Sequence, residues 1–291
     1  MVKTYADLYL DARKALLPSE GMYAGNVARE LVSAASGKTQ EALLADRSLY
    51  ASEEICQRVE NFVRRHLEGE PTAYILGQWD FADMTLTVNP DVLIPRDDTM
   101  AVTELAIKKA LFLPTNPRVL DLCTGSGCIG LAVARRVKDA KVTLADVSPD
   151  ALRVAKKNVT DLHLGGRVTC VLADVMKPAA PFLGTLDLIV SNPPYVTTAE
   201  MEKLDASVKD YEPHMALHGG EDGLDFYRAI VENFTPALRP GGFLALEFGM
   251  GQDAAVCAIL EEADYTVLEL KEDNSGIVRA VLARHGEENS P

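Results

Sequence analysis

Apolar positions fall in helical register through the first part of the chain. Leu8, Ala12, Ala15 and Leu16 share one face, and Val27, Leu31, Ala34 and Ala35 share another. Ser52, followed by Glu53 and Glu54, opens a third segment whose apolar side carries Ile55, Val59, Phe62, Val63 and Leu67. Serine suits an N-cap and acids suit a first turn, and Gly69-Glu70-Pro71 stops the pattern. Residues 1–73 are therefore expected to form a small helical domain. Across 74–95 the period shortens. Tyr74-Ile75-Leu76, Trp79-Asp80-Phe81 and Met84-Thr85-Leu86-Thr87-Val88 are strand-like, broken at Gly77 and Ala82-Asp83, which predicts a linking β-hairpin.

From 96 to 291 short apolar runs alternate with helical ones. Strands are expected at 118–122, 141–146, 167–172, 186–191, 242–248, 265–270 and 277–283, and helices at 129–137, 151–159, 226–234 and 252–262. This alternation predicts an α/β domain whose sheet is mostly parallel, seven-stranded and covered on both faces. No helix separates the last two strands, so the final one should run antiparallel.

Composition narrows the class. The 291 residues are 47% hydrophobic and 25% charged, which fits a globular chain with room for two domains. The net charge is −14. Residues 1–73 hold nine basic and eleven acidic side chains, a net −2, so most of the negative charge lies downstream. That sign opposes a protein built to grip phosphate backbones, so no direct nucleic-acid partner is expected. Cysteines 56, 123, 128, 170 and 257 are odd in number and form no Cys-x-x-Cys pair, which reads as reduced thiols without a metal. The first residues lack a signal-peptide pattern, and no apolar run reaches the ~18 residues of a membrane span. A cytoplasmic protein that does not engage membranes is the expectation.

The first strand of the α/β domain runs into Asp121-Leu122-Cys123-Thr124-Gly125-Ser126-Gly127-Cys128-Ile129-Gly130. Gly125, Gly127 and Gly130 satisfy a G-x-G-x-x-G spacing between a strand and a helix, where the backbone can turn tightly and approach a ligand. NAD, FAD and S-adenosylmethionine (SAM) enzymes all use such a loop. Asp146, at the next strand end, can accept from both ribose hydroxyls, unless it only caps the following helix, a task open to Ser148 or Asp150. Asp174 ends the third strand and can accept from an adenine amino group, with Val175 flanking the ring. No Gly-Lys-Ser/Thr phosphate loop occurs.

The fourth strand delivers Ser191-Asn192-Pro193-Pro194-Tyr195 to the carboxyl edge of the sheet, where ligands bind. Two prolines stiffen the loop and remove N–H donors, leaving the Pro193 carbonyl free. Together with the Asn192 side-chain oxygen it offers two acceptors for one planar NH₂ group, and Tyr195 offers a flat wall for stacking. Such a clamp selects a carboxamide or an aromatic amine, and would fix its nitrogen in place by positioning and electrostatics. The catalytic candidates are thus Asn192, Pro193 and Tyr195, and the substrate contacts Asn192, Pro193, Pro194 and Tyr195.

The Asp121–Gly127 loop resembles that of the class I SAM-dependent methyltransferases, in which the acid before the loop lies under the methionine part of SAM. Further motifs are Tyr74-Ile75-Leu76-Gly77, Leu93-Ile94-Pro95-Arg96, Tyr211-Glu212-Pro213-His214, Gly219-Gly220-Glu221-Asp222-Gly223, Leu238-Arg239-Pro240-Gly241-Gly242 and Leu246-Glu247-Phe248-Gly249. With the Asn-Pro-Pro-Tyr run and the helical N-terminal domain, these resemble the HemK/PrmC-type peptide chain release factor N5-glutamine methyltransferases from about residue 5 to Arg279. The resemblance implies a Rossmann-like class I methyltransferase fold and a cofactor, SAM, leaving as S-adenosylhomocysteine. It implies cofactor contacts at Cys123, Thr124, Gly125, Ser126, Gly127, Asp146, Asp174, Val175 and Asn192. It implies a class I release factor as partner, gripped through the glutamine of its Gly-Gly-Gln motif, with the helical domain and hairpin docking the factor's body and the enzyme acting as a monomer. Asn-Pro-Pro-Tyr also occurs in ribosomal-protein glutamine methyltransferases and N6-adenine methyltransferases, the alternatives. The family pattern Ile-Pro-Arg-Pro-Glu-Thr-Glu reads here Ile94-Pro95-Arg96-Asp97-Asp98-Thr99-Met100. Cys123 replaces a common glycine, and Val175 a larger residue.

Overall fold

The computed structural model describes residues 3–286, which divide into two compact units. One comprises the chain up to Gln78 together with 205–211, and the other 79–204 and 212 onward.

In the first unit, α1 (Tyr5–Glu20) begins at a capping box in which Thr4 accepts from the Asp7 N–H and Asp7 from Thr4. Then come α2 (Ala24–Ser36), α3 (Gln40–Ala45), α4 (Glu53–Leu67) and α5 (Thr72–Leu76). Ser52 caps α4 by accepting from Ile55 N at 3.3 Å. Leu8, Ala12, Leu16, Leu31, Ala35, Val59 and Val63 are all buried in one core. The buried face of α1 is set by Tyr5, Leu8, Ala12 and Leu16, four residues apart or nearly so, and Ala15, expected there, is exposed. Tyr74–Leu76 also depart from expectation. They close a helical turn ended by Gly77 in the left-handed region, with Ala73, Tyr74 and Ile75 all buried.

The hairpin belongs to the second unit and is shorter than expected, β1 (Gln78–Phe81) pairing with β2 (Met84–Thr87). Asn158, itself buried, ties it down: its Oδ1 accepts from Thr87 N at 2.7 Å, and its Nδ2 donates to Thr87 O and Ser126 O. Then follow α6 (Met100–Leu111), β3 (Arg118–Leu122), α7 (Cys128–Arg136), β4 (Lys141–Asp146), α8 (Pro149–Asp161), β5 (Val168–Leu172) and β6 (Leu186–Ser191). After a single-turn helix, α9 (Thr198–Met201), and α10 (Ala206–Lys209), which belongs to the first unit, come α11 (Asp225–Phe234), β7 (Leu238–Glu247), α12 (Asp253–Glu262), β8 (Tyr265–Glu272) and β9 (Val278–His285). Helix α6 escaped the sequence reading because it buries residues around much of its circumference (Ala101, Val102, Thr103, Leu105, Ala106, Ala110), which blurs the amphipathic period.

The seven strands order as β5-β4-β3-β6-β7-β9-β8, parallel except for β9, which is antiparallel to both neighbours. Alternate residues enter opposite cores: Val119, Leu188, Val190 and Ala245 meet α6 and α7, whereas Leu120, Ile189, Leu244 and Leu246 meet α11 and α12. The chain winds outward from β3 to β5, then returns to place β6 on the other side of β3. That reversal leaves a crevice above the carboxyl ends of β3 and β6. Among the described residues no helix is long and apolar enough to cross a membrane. Replacing the fully buried Leu120 by alanine should cost about 2–5 kcal/mol of unfolding free energy in a urea titration.

Candidate active site

Asp121 sits near the end of β3, fully buried. Its Oδ2 accepts from Thr124 Oγ1 at 2.6 Å and from Gly130 N at 2.9 Å. Its Oδ1, equally buried, has no partner. Burial, helped by the nearby Asp146, pushes this carboxyl up to about 7 despite those two donors. Gly130 is required by closeness: a Cβ there would lie 2.3 Å from Leu144 Cδ2 and 3.0 Å from Asp121 Oδ2. The absence of that methyl lets α7 start directly against the acid and the loop of 123–127 curl over it.

Asp146 ends β4, and Ser148 caps α8 by accepting from Ala151 N at 3.1 Å. Asp146 is thus released from capping. Its Oδ2 accepts from Gly125 N and its Oδ1 from Ser148 N, both at 2.9 Å. Each oxygen keeps a further lone pair for a ligand hydroxyl. Burial raises this carboxyl, the N–H donors of Ser148, Gly125 and Val147 opposing it. Asp174 follows β5 and is held low chiefly by the Met176 N–H, and then by Lys177. Val175 is buried, and with Val147 it lends the crevice an apolar wall.

At the end of β6, Ser191 Oγ donates to Leu122 O at 2.7 Å, locking the two central strand ends together. Asn192 Nδ2 donates to Thr99 Oγ1 at 3.2 Å, which assigns the NH₂ end of the amide to Thr99 and leaves Oδ1 as its acceptor; both residues line the crevice. Pro193 and Pro194 are buried. The Tyr195 carbonyl accepts from Gln252 Nε2 at 3.1 Å, and Gln252 Oε1 accepts from Gly249 N. Burial pushes the Tyr195 phenol well up. Gly219 packs against this loop so tightly that a Cβ would stand 2.7 Å from Pro194 O and Tyr195 Cα, which explains one glycine of the 219–223 motif.

The crevice encloses about 1070 Å³ with its open mouth. Cys123, Thr124, Gly125, Ser126, Asp146, Asp174, Val175, Asn192 and Pro194 all line it. Gly127, Pro193 and Tyr195 do not: Gly127 caps α7, and Tyr195 packs against the core beneath. The thiols of Cys123 and Cys128 are driven far up by burial. Among the described residues no group of three His, Cys, Asp or Glu could hold a metal.

A second wall escaped the sequence reading. Asp91, Val92, Leu93, Pro95 and Thr99 line the crevice from the side of the 91–99 segment. Glu212, buried, organises that segment by pairing with Arg96 and accepting from Ile94 N at 3.2 Å. Asp98 pairs with Arg279 at 3.1 Å, and Arg279 with Asp273 at 2.9 Å. Met100, standing where the family has an acid, opens α6 and packs against the core instead. The motifs were visible as strings, but Thr99 meets Asn192 across 93 residues and Glu212 meets Ile94 across 118, separations that no local pattern carries.

Comparison with known proteins places the chain. A model of the methyltransferase small domain matches residues 102–208, and a model of the PrmC N-terminal domain matches 7–77. A release factor glutamine methyltransferase of Geobacter sulfurreducens is 37% identical over 278 residues, 95% of either chain. One from Clostridium acetobutylicum is 38% identical over 256 residues, 88% of this chain and 90% of that one. This chain belongs to the release factor glutamine methyltransferase family. A solved methyltransferase from Pyrococcus furiosus shares the fold of this family member with a TM-score of 0.53, 20% identity, and coverage of 78% of this chain and 100% of that one.

The site fits the cofactor such enzymes use. Asp146 retains acceptors for ribose hydroxyls, and Val147 and Val175 line the crevice near it, whereas Asp121 is fully buried beneath the loop and is not among the lining residues. Asp121 also makes a pH prediction. Its folded value near 7 exceeds its ordinary value near 4, so the folded state keeps a proton that the unfolded chain has lost between the two. The resulting penalty is absent below about pH 4 and grows as pH rises to about 7. Asp121→Asn cannot ionise. Its unfolding free energy, measured without ligand, should therefore improve relative to wild type by a few kcal/mol, order of magnitude, from about pH 4 to about pH 8. Parallel stability curves would refute a buried, proton-holding carboxyl.

Proposed function

We propose that the protein transfers a methyl group from SAM to the side-chain amide nitrogen of the glutamine in the Gly-Gly-Gln motif of a class I peptide chain release factor. The observation that carries this reading is the orientation of Asn192. Its NH₂ is committed to Thr99, so its oxygen is the atom left for a substrate N–H. An acceptor there, paired with the Pro193 carbonyl in a loop without N–H donors at either proline, suits a carboxamide. The names of the relatives support the same substrate.

When bound, SAM supplies a sulfonium-activated methyl group. The protein's part is to hold the cofactor through the 123–127 loop, Asp146, Asp174 and Val175. Asn192 and the 193–195 loop fix the amide nitrogen, whose lone pair is delocalised and poorly nucleophilic. Two hydrogen bonds from its NH₂ favour the positive charge that grows on nitrogen during transfer. The helical unit and hairpin would dock the release factor's body, and the enzyme would act as a cytoplasmic monomer without nucleic-acid or membrane partners.

Incubation with labelled SAM and unmodified release factor should label one glutamine, and a Gln-to-Ala release factor should stay unlabelled. Label found instead in a ribosomal protein or in DNA would overturn the assignment. Asn192→Ala should lower kcat by more than about 100-fold, the scale of losing a charge-stabilising hydrogen-bond partner, while SAM affinity measured by calorimetry changes little. An unchanged rate would refute the amide grip.

A further inference from the structure

Glu247 ends β7 beside the crevice and is 1% exposed. Its backbone is pinned from below, since Tyr227 Oη donates to the Glu247 carbonyl at 3.0 Å. Its carboxyl is approached by the hydroxyl of Thr99 and the amide of Asn192, both of which stabilise the charged form. Its Oε2 has no partner. Thr99 is 2% exposed and fixed in turn by its carbonyl, which accepts from Thr103 Oγ1 at 2.8 Å.

These contacts form a directional chain. A threonine hydroxyl has one hydrogen to give. Thr99 Oγ1 already accepts from Asn192 Nδ2 at 3.2 Å, so its hydrogen is free to point at the Glu247 carboxylate. When ionised, Glu247 only accepts, and the chain then runs in a single sense: Asn192 to Thr99 to Glu247. That sense decides which end of the Asn192 amide faces the crevice. A terminal group able to donate would let Thr99 reverse, turning its hydrogen toward Asn192 and inviting the amide to flip. A flipped amide would offer N–H to a substrate N–H, and the clamp would fail. Neither residue reaches this arrangement for stability's sake, because a buried acid with an empty acceptor costs free energy.

We infer that Glu247, acting through Thr99 and directly on the Asn192 amide, is a positioning residue that holds that amide with its oxygen toward the substrate. This rests on the proposed glutamine-amide substrate. Burial pushes the Glu247 carboxyl up to about 8, with Asp98 also raising it and Arg279 opposing. Tyr195, Tyr227 and Cys128 face the same carboxyl from their own elements. Protonation gives the chain a donor at its end, so kcat in the wild type should rise as pH increases through that region.

The test uses the full chain with SAM and release factor. Glu247→Leu and Thr99→Val remove the acceptor and the relay, and should each lower kcat at least tenfold, with SAM affinity and the release factor KM within about twofold of wild type. Thr99→Ser, which restores a hydroxyl, should recover most of the rate, whereas Glu247→Gln, whose amide can donate as the protonated acid can, should keep a lowered kcat and lose the acid limb of the pH profile. Should Glu247→Leu fail to fold, the Thr99→Val and Thr99→Ser pair decides. Full kcat in Thr99→Val, or a loss matched by lost SAM affinity, overturns the inference. A readout independent of turnover separates it from the substrate assignment. In protein labelled with ¹⁵N-asparagine, the Asn192 NH₂ should be protected from solvent exchange in wild type and Thr99→Ser and unprotected in Thr99→Val. Equal exchange in all three overturns the proposal even if release factor is methylated.

Discussion

A carboxylate withdrawn from water must find donors or take up a proton, and this site is arranged around two that do neither completely. Asp121 at the end of β3 satisfies one oxygen with Thr124 and Gly130 and leaves the other bare. Glu247 at the end of β7 likewise retains an unpartnered oxygen. Both are raised by burial, to about 7 and about 8. Buried, half-satisfied acids are costly to a fold, and their placement at the carboxyl edge of a parallel sheet marks where that cost is tolerated for binding. One acid lies under the glycine loop, and the other lies behind the asparagine proposed to clamp the substrate.

The loops above these acids are held by closeness rather than by extensive pairing. Gly130 lets α7 abut Asp121, and Gly219 lets a distant segment lie flush on the Asn192–Tyr195 turn. Ser191 binds β6 to β3, Gln252 grips the Tyr195 carbonyl, and Asn158 sutures the hairpin to the glycine loop. Each tie reduces the freedom of a group that must meet a ligand within a fraction of an ångström, which is how positioning contributes to rate. The 91–99 segment, anchored by Glu212 and Arg279, closes the second wall and delivers Thr99 to Asn192.

The departures from the family pattern find different physical answers. Asp98 pairs with Arg279. Met100, the first residue of α6, packs against the apolar core. Val175 offers a small buried surface where a larger side chain is common, and Val147 shares the wall.

Much of the plan is written in short-range pattern. The helical register of Leu8, Ala12 and Leu16, the alternation of Val119 with Leu120, the Ser52 and Ser148 caps and the glycines of the 125–130 loop each depend on residues a few positions apart, where spacing alone dictates which side chains share a face. The antiparallel last strand was also legible, because its neighbour arrives without an intervening helix. Where local pattern is ambiguous, tertiary structure decided: Tyr74–Leu76, strand-like as a string, lie in a helical turn capped by Gly77, and α6 hid its period by being covered on several sides. The same holds for chemistry. Asn192 could be singled out from its own motif, but the direction of its amide is set by Thr99 and Glu247, which reach it from elsewhere in the chain. A side chain's identity is a local property, whereas its hydrogen-bond sense and proton affinity belong to whatever the fold packs against it.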